Sequence, residues 1–318
     1  MRMSGFPIGH VAACLSAALL PGAALPRDHA NVVDLSALRN KEEQVLTVGD
    51  RLAIAAAALC ARQAPGLGIA LHDLSQYGAA YRDAARPMFA RAALPAVLAV
   101  AGEGAAARAG IKAGDAVIAV NGNPVPQAAG DGLARVETVT AAMQRAALSG
   151  SVRLTLARGD GAPSVRAFAP PPACAVRFQV RPDRELDART DGWLIEITTG
   201  LADFVRGPDE LAAVLAHELA HVILDHRAQV GRVSAAQSRS SELEADRLGI
   251  MLAARAGFRA AAAAGFWRRM RDRGPAGPSG LGRHPADRQR LKAVDAALRQ
   301  LEEARPESRP APREQRKP

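Results

Sequence analysis

The chain contains few aromatic residues and almost no lysine. Phe, Trp and Tyr make up 3% of its 318 residues, so the sequence lacks the aromatic platform on which single-stranded nucleic acids stack. Its 41 basic residues include four lysines, which leaves 41 − 4 = 37 arginines beside heavy alanine usage. This composition indicates a coding bias, so the net charge of +9 is weak evidence for nucleic-acid binding. We expect no nucleic-acid partner; peripheral attachment to an anionic membrane surface stays open as an alternative.

Long apolar runs are also missing. No stretch of 18 uncharged apolar residues occurs beyond the N-terminus, which argues against an enzyme that spans a membrane several times. The N-terminus has the pattern of an export signal, with Arg2, an apolar stretch over 11–20 and small residues near Ala24. We therefore predict a signal peptide over 1–25 and a periplasmic or secreted protein. The alternatives are an uncleaved membrane anchor and lipidation at Cys14.

Cysteine is scarce, with three residues in the chain. Loss of the signal removes Cys14 and leaves Cys60 and Cys174, an even pair in an oxidising compartment. We predict a disulfide between these two, which would join the end of the first helix to the strand that enters the second half of the chain. The alternative is two buried free thiols.

The most informative motif is His217-Glu218-Leu219-Ala220-His221, inside an apolar stretch that is predicted to be helical. Residues four apart on an α-helix differ by about 400° in direction, so His217 and His221 project from one face and can share a zinc ion. Glu218 lies at the edge of that face, where its carboxylate can act on water without being a ligand. The motif indicates a zinc-dependent peptide hydrolase with Glu218 as the general base.

A zinc site built on two histidines needs a third protein ligand. An acidic run, Ser-Ser-Glu-Leu-Glu-Ala-Asp, follows on a second predicted helix that continues to about Arg255. Its glutamates, Glu242 and Glu244, lie about 200° apart on a helix, so only one of them can face the metal. Spacing alone does not decide between the two. The alternative is that these acidic residues merely solvate a helix face.

The two motifs together resemble the gluzincin peptidases related to HtpX and the CAAX prenyl proteases, which pair HExxH with a downstream ExxxD. This resemblance implies that Glu242 is the third zinc ligand and that Glu244 is not a ligand. It also implies that Asp246 orients one of the ligating histidines.

The resemblance reaches over roughly residues 175–300 and includes two further features. One is the segment 192–201, which precedes the HExxH helix. Its residues 192–199 alternate apolar and polar side chains, which is typical either of an edge strand that can pair with substrate or of a plain structural strand. The other is His284-Pro285, followed by Arg288 or Arg290. We expect His284 to help stabilise the oxyanion of the reaction, the alternative being a plain loop residue.

His226 follows the HExxH motif closely. It lies five residues after His221, which on a continuous helix rotates its side chain by about 140° from the direction of that ligand. We therefore expect His226 to point away from the metal as a helix-end histidine.

The sequence between the first helix and the catalytic half changes to short predicted strands that are separated by Gly and Pro. Within it, the segment 97–122 resembles a PDZ domain of the bacterial protease type. The resemblance implies a loop whose backbone N–H groups hold the terminal carboxylate of a bound peptide, formed by Gly66, Leu67, Gly68 and Ile69. About 28 residues separate this loop from Val97, which is longer than the usual gap.

The predicted fold class is α+β, with a mainly helical zincin-type metallopeptidase domain that has a small edge sheet and follows a PDZ-like, β-rich module. The predicted divisions are a signal peptide (1–25), a helix that packs on the catalytic domain (26–62), the PDZ-like domain (63–172), the zinc metallopeptidase domain (173–304) and a disordered tail (305–318).

These predictions lead to an exported metalloendopeptidase with one zinc ion per chain. Its substrates would be unfolded or damaged envelope proteins, whose chain ends the PDZ-like module would capture unless that module gates the site. The alternatives are a zinc-containing periplasmic chaperone and a PDZ peptide-binding protein with little proteolytic activity.

Overall fold

The computed structural model describes residues 34–126, 131–226, 235–273 and 288–304. The predictions for the signal peptide, Cys14, His284 and the C-terminal tail lie outside these residues. The helices in the described part of the chain are α1 (Leu35–Ala55), α2 (Ala79–Ala85), α3 (Ala105–Arg108), α4 (Gly132–Leu148), α5 (Thr199–Phe204), α6 (Pro208–Ile223), α7 (Ala235–Arg255), α8 (Ala262–Asp272) and α9 (Arg288–Glu303). None of these helices is long and apolar enough to cross a membrane.

The strands form three sheets within the same residues. They are β1 (Gln63–Pro65), β2 (Ile69–His72), β3 (Ala96–Val100), β4 (Ala116–Val120), β5 (Asn123–Pro124), β6 (Val152–Ala157), β7 (Ser164–Phe168), β8 (Pro172–Cys174), β9 (Arg177–Arg181), β10 (Ala188–Thr190) and β11 (Leu194–Thr198). The largest sheet has the order β2-β3-β4-β6-β7, with β5 paired to β4, and its pairs are antiparallel. A second sheet has the order β10-β11-β9, and β1 pairs with β8. The chain is therefore a mixture of helices and sheets, as the α+β prediction requires.

The six-stranded sheet has a hydrophobic core of its own. Val97, Val117 and Leu154 from its strands pack with Met143 of α4, and all four are fully buried. The side chain of Asp131 caps α4 by accepting a hydrogen bond from the amide of Leu133 at 2.9 Å. The identity of this sheet and its helices as a PDZ-like domain stays a prediction.

A separate hydrophobic core joins α1 to the helices and strands of the second half of the chain. Leu38, Val45, Val48 and Leu52 recur with helical spacing on α1, and each is buried in this core. The helix packs on both α6 and β9, and it also runs along β3 of the six-stranded sheet. Helix α1 therefore connects the two hydrophobic cores.

The edge-strand interpretation of residues 192–199 was wrong, and the structure agrees with the alternative of a plain structural strand. The strand in this segment, β11, lies in the centre of the three-stranded sheet, antiparallel to β10 and parallel to β9. Ile195 and Ile197 are fully buried in the core beneath it. The edge of this sheet that packs on α6 is β10.

Cys60 and Cys174 form a disulfide in the structure, with their Cα atoms 5.5 Å apart. The bond joins the segment after α1 to the end of β8 across a sequence separation of 114 residues. Because β1 pairs with β8 next to it, the disulfide closes the whole six-stranded sheet between two neighbouring points of the chain.

Candidate active site

Helix α6 is buried along nearly its whole length and carries the HExxH motif. Pro208 occupies its first turn, where the missing N–H costs nothing, and Asp209 and Glu210 follow at the end where the helix dipole favours negative charge. Glu210 also accepts hydrogen bonds from two nitrogens of Arg269 on α8, at 2.7 and 2.5 Å. From Glu210 to His221 every residue of α6 is buried. The motif is therefore held on a rigid helix in the centre of the domain.

Three side chains from α6 and α7 converge on one point. The Nε2 atoms of His217 and His221 are 3.1 Å apart. One carboxylate oxygen of Glu242 lies 3.4 Å from Nε2 of His217, and the other lies 3.4 Å from Nε2 of His221. Taking one ligand atom from each residue, all three atoms lie within 4.8 Å of one another. Two imidazole nitrogens and a carboxylate oxygen that face one another are a donor set that suits zinc.

Glycine at position 249 brings α7 close enough to α6 for this convergence. A Cβ placed on Gly249 would lie 3.0 Å from the backbone nitrogen of His217 and 3.1 Å from its Cα. Since those atoms belong to a buried helix, they cannot easily move away. The two helix backbones therefore meet directly beside the first histidine of the motif, which puts Glu242 and Asp246 of α7 within its reach.

Asp246 holds the other nitrogen of His217. Its Oδ1 is 3.0 Å from Nδ1 of His217, and both of its oxygens accept hydrogen bonds from Arg290 of α9, at 2.7 and 2.8 Å. The guanidinium of Arg290 lies 3.5 Å from the ring centroid of Trp267, a favourable cation–π distance. Trp267 is buried, and its ring also meets the ring of His217 edge-on.

Arg290 is a site residue that the sequence reasoning found only in part, because it named Arg288 and Arg290 as equal alternatives. The structure separates them, since Arg288 is exposed and Arg290 is almost completely buried. A signal was available in the sequence: Arg290 shares the buried face of α9 with Leu291, Val294 and Ala297. A single arginine on an otherwise apolar helix face needs a buried anionic partner.

The charges of this cluster shift the acidity of its members. Burial and the charge of Arg290 both lower the pKa of His217, but hydrogen bonds to Asp246 and Glu242 outweigh them and raise it to about 9. Burial alone would raise the pKa of Asp246, yet Arg290 and His217 hold it below its usual value. The imidazoles of His217 and His221, together with the carboxylates of Glu242 and Asp246, thus form a site with a strong preference for positive charge.

His226 lies against the ring of His221, on the side away from the converging ligand atoms, and it is not a member of the cluster of possible ligands among the described residues. Its Nδ1 lies 3.0 Å from Nδ1 of His221. The expected rotation assumed a continuous helix, whereas α6 ends at Ile223 and Asp225 has a left-handed φ of 52°. The chain therefore turns back and returns His226 to the ring of His221.

The roles predicted for two other site residues, Glu218 and His284, stay predictions. Glu218 follows His217 on α6 with a side chain that is 1% exposed, and its role as the general base stays a prediction. His284 lies outside the described residues, so its contribution to the oxyanion also stays a prediction.

The loop 66–69, which was predicted to bind the carboxylate of a peptide, already forms hydrogen bonds within the protein. The amide of Gly66 donates to the carbonyl of Pro171 at 2.8 Å, and Leu67 is buried. The amide of Gly68, which has a φ of 60°, donates to the carboxylate of Asp50 on α1. Burial raises the pKa of Asp50 to about 6 against the effect of this hydrogen bond. Two of the four amides expected to face a bound peptide thus have partners inside the protein.

A buried HExxH helix that meets a glutamate of a neighbouring helix is the arrangement of a metallopeptidase. The model of peptidase family M48 matches residues 167–237 and 227–298, two overlapping segments that include every residue of the cluster described above. The catalytic half of the chain, residues 167–298, belongs to peptidase family M48, and the protein is a metalloprotease. No curated protein is significantly similar to it in sequence.

Proposed function

We propose that the protein is an exported zinc-dependent metalloendopeptidase that hydrolyses unfolded or damaged envelope proteins. One observation carries the catalytic part of this proposal: the ligand atoms of His217, His221 and Glu242 lie within 4.8 Å of one another in the segment that matches family M48. Three protein ligands of this kind hold one zinc ion and leave a coordination position for the reaction, which is the pattern of a catalytic rather than a structural site.

Different residues of the chain have different roles in the proposed hydrolysis of a peptide bond. When bound, zinc polarises the scissile carbonyl and lowers the pKa of a coordinated water to about 7. Glu218 takes the proton of the attacking water on its carboxylate and passes it to the leaving nitrogen. Asp246 keeps a proton on Nδ1 of His217, so that Nε2 presents its lone pair to the metal. His284 donates a hydrogen bond to the oxyanion.

Unfolded polypeptides suit the surroundings of the site as substrates. The strand β10 lies at the edge of its sheet and packs against α6. An extended segment of substrate can add to this edge by backbone hydrogen bonds, which depend little on side-chain identity. A folded protein has few segments that are free to pair in this way, so we propose that the enzyme selects chains that have lost their structure.

The export part of the proposal depends on the N-terminal pattern and on the cysteines. Disulfides persist in oxidising compartments and are rare in the cytosol, so the bond between Cys60 and Cys174 supports a periplasmic or secreted location. The six-stranded sheet would then serve as the PDZ-like module that receives chain ends. Because Asp50 engages the amide of Gly68, an incoming carboxylate must compete with this side chain.

A comparison of the mature protein with its Glu218→Gln variant tests the proposal. Both should bind about one zinc ion, since Glu218 is not a ligand, while only the unaltered protein should degrade reduced casein. Glu302→Gln, at an exposed position near the end of α9, is the matched control and should retain full activity. Cleavage that survives both Glu218→Gln and removal of the metal would refute the mechanism.

A further inference from the structure

His226 lies on the side of His221 that faces away from the converging ligand atoms. The two Nδ1 atoms are 3.0 Å apart, and the ring centroids are separated by 5.0 Å. On its other side, Nε2 of His226 lies 3.6 Å from a carboxylate oxygen of Glu244, which belongs to α7. The side chain of His226 is 8% exposed and that of Glu244 is 50% exposed. The imidazole of His226 thus bridges a buried histidine and a carboxylate at the surface.

The metal-binding tautomer of His221 determines which nitrogen donates and which accepts in these contacts. A neutral histidine that binds a metal through Nε2 carries its proton on Nδ1. In His221 that proton points at Nδ1 of His226, which must therefore accept it. The proton of a neutral His226 is then on Nε2, toward Glu244, and the negative carboxylate favours this tautomer. A single set of proton positions satisfies all three residues.

The two ligating histidines are consequently supported in a similar way. Nδ1 of His217 is 3.0 Å from Asp246, whereas Nδ1 of His221 reaches a carboxylate of α7 through an intervening imidazole. A ligating ring whose second nitrogen is held keeps a fixed orientation and tautomer, and loss of such a partner typically weakens metal binding or activity by about 10- to 100-fold. His226 itself is not a ligand, because its nitrogens face Nδ1 of His221 and not the Nε2 atom at the cluster.

We propose that His226, backed by Glu244, is a positioning residue that fixes His221 in its metal-binding tautomer. This inference rests on the proposed zinc site and deepens it, since it gives a role to the acidic residue of α7 that does not face the metal. It also gives a role to the turn after α6, in which the left-handed Asp225 returns His226 to the ring.

Two substitutions at the same position separate hydrogen bonding from packing. Gln can accept the proton of His221 through its side-chain oxygen, whereas Leu fills a similar space and accepts nothing. We would measure, for the mature full chain, the zinc dissociation constant by competition with a chromogenic chelator and the visible spectrum of the Co²⁺-substituted protein. His226→Leu should bind zinc about 10- to 100-fold more weakly with an altered spectrum, and His226→Gln should stay within a few-fold of the unaltered protein.

Glu244→Gln supplies an independent measurement if either variant at position 226 does not fold. It should weaken zinc binding by a smaller factor, and Glu302→Gln should leave the affinity unchanged. Equal zinc affinities for His226→Leu and His226→Gln, or no effect of Glu244→Gln when both fail to fold, would overturn the positioning role while leaving the peptidase intact. An unaltered protein that binds no zinc would instead overturn the proposed function itself.

Discussion

Glu42 of α1 is a carboxyl group inside the core that joins α1 to the catalytic half, and its neutralisation should stabilise the protein. It is 5% exposed, and its Oε1 accepts a hydrogen bond from the amide of Val180 on β9 at 3.1 Å. Burial raises its pKa from 4.5 to about 8; the hydrogen bond from Val180 opposes this shift and the nearby charge of Glu196 adds to it. Between these pH values the folded state holds a proton that the unfolded chain has lost, so stability falls as pH rises.

The size of the effect follows from the two pKa values. At about 1.4 kcal/mol per pH unit, the penalty grows from near zero at pH 4.5 to about 3 kcal/mol at pH 7 and about 5 kcal/mol above pH 8. Gln resembles the neutral acid in shape and can still accept from Val180. Glu42→Gln should therefore match the unaltered protein near pH 4.5 and be more stable by a few kcal/mol at pH 8.

Urea unfolding of the mature chain at pH 5 and pH 8, with the disulfide intact, measures this difference. Glu43→Gln changes an exposed neighbour on the same helix, so it should alter stability little at either pH. If the advantage of Glu42→Gln were the same at both pH values, or absent at pH 8, the carboxyl group would not be a buried neutral acid and the reasoning would be wrong.

Two further predictions concern the contact between α6 and α7 at Gly249 and the disulfide between Cys60 and Cys174. Gly249→Ala should lower stability by about 1–3 kcal/mol and weaken zinc binding, because the new Cβ pushes against the backbone of His217. Gly265→Ala, in a helix where the Cβ meets nothing within 4 Å, should instead stabilise by about 0.5–1 kcal/mol, and similar unfolding midpoints for the two variants would contradict the close helix contact. Reduction of the disulfide, which closes a separation of 114 residues, should cost about 2–5 kcal/mol in urea unfolding. The double variant Cys60→Ser/Cys174→Ser should be insensitive to reductant, and a mature protein equally insensitive would show that the bond does not form.

The parts of the site that could be predicted are those set by a local helical period. His217 and His221 are four residues apart on one helix, and Glu242 and Asp246 are four apart on another, so each pair shares a face. Which residue of α7 meets the histidines depends on how two helices are rotated against each other. That choice needed the family resemblance, because the spacing within one helix contains no information about the other.

The features that the sequence did not reveal depended on contacts far away in the sequence or on where an element ends. The alternation of β11 resembles an edge strand, but the number of strands beside it is decided by β9 and β10, which the pattern does not describe. The contact between His226 and His221 could not be read from a rotation along a continuous helix, because α6 ends at Ile223. The loop at Gly68 met Asp50 of α1, an acid whose position depends on how α1 packs against the sheet.

The charge balance of the buried site explains why a dication suits it better than a proton. Glu218, Glu242 and Asp246 bring three carboxylates to the two helices, and Arg290 is the guanidinium that pairs with Glu242 and Asp246, which gives −3 + 1 = −2 when all are ionised. A proton on His217 changes this net charge from −2 to −1, whereas an ion of charge +2 brings it to zero. Because uncompensated charge is costly in a buried site, the cluster favours a divalent metal at the point where the two histidines and Glu242 meet.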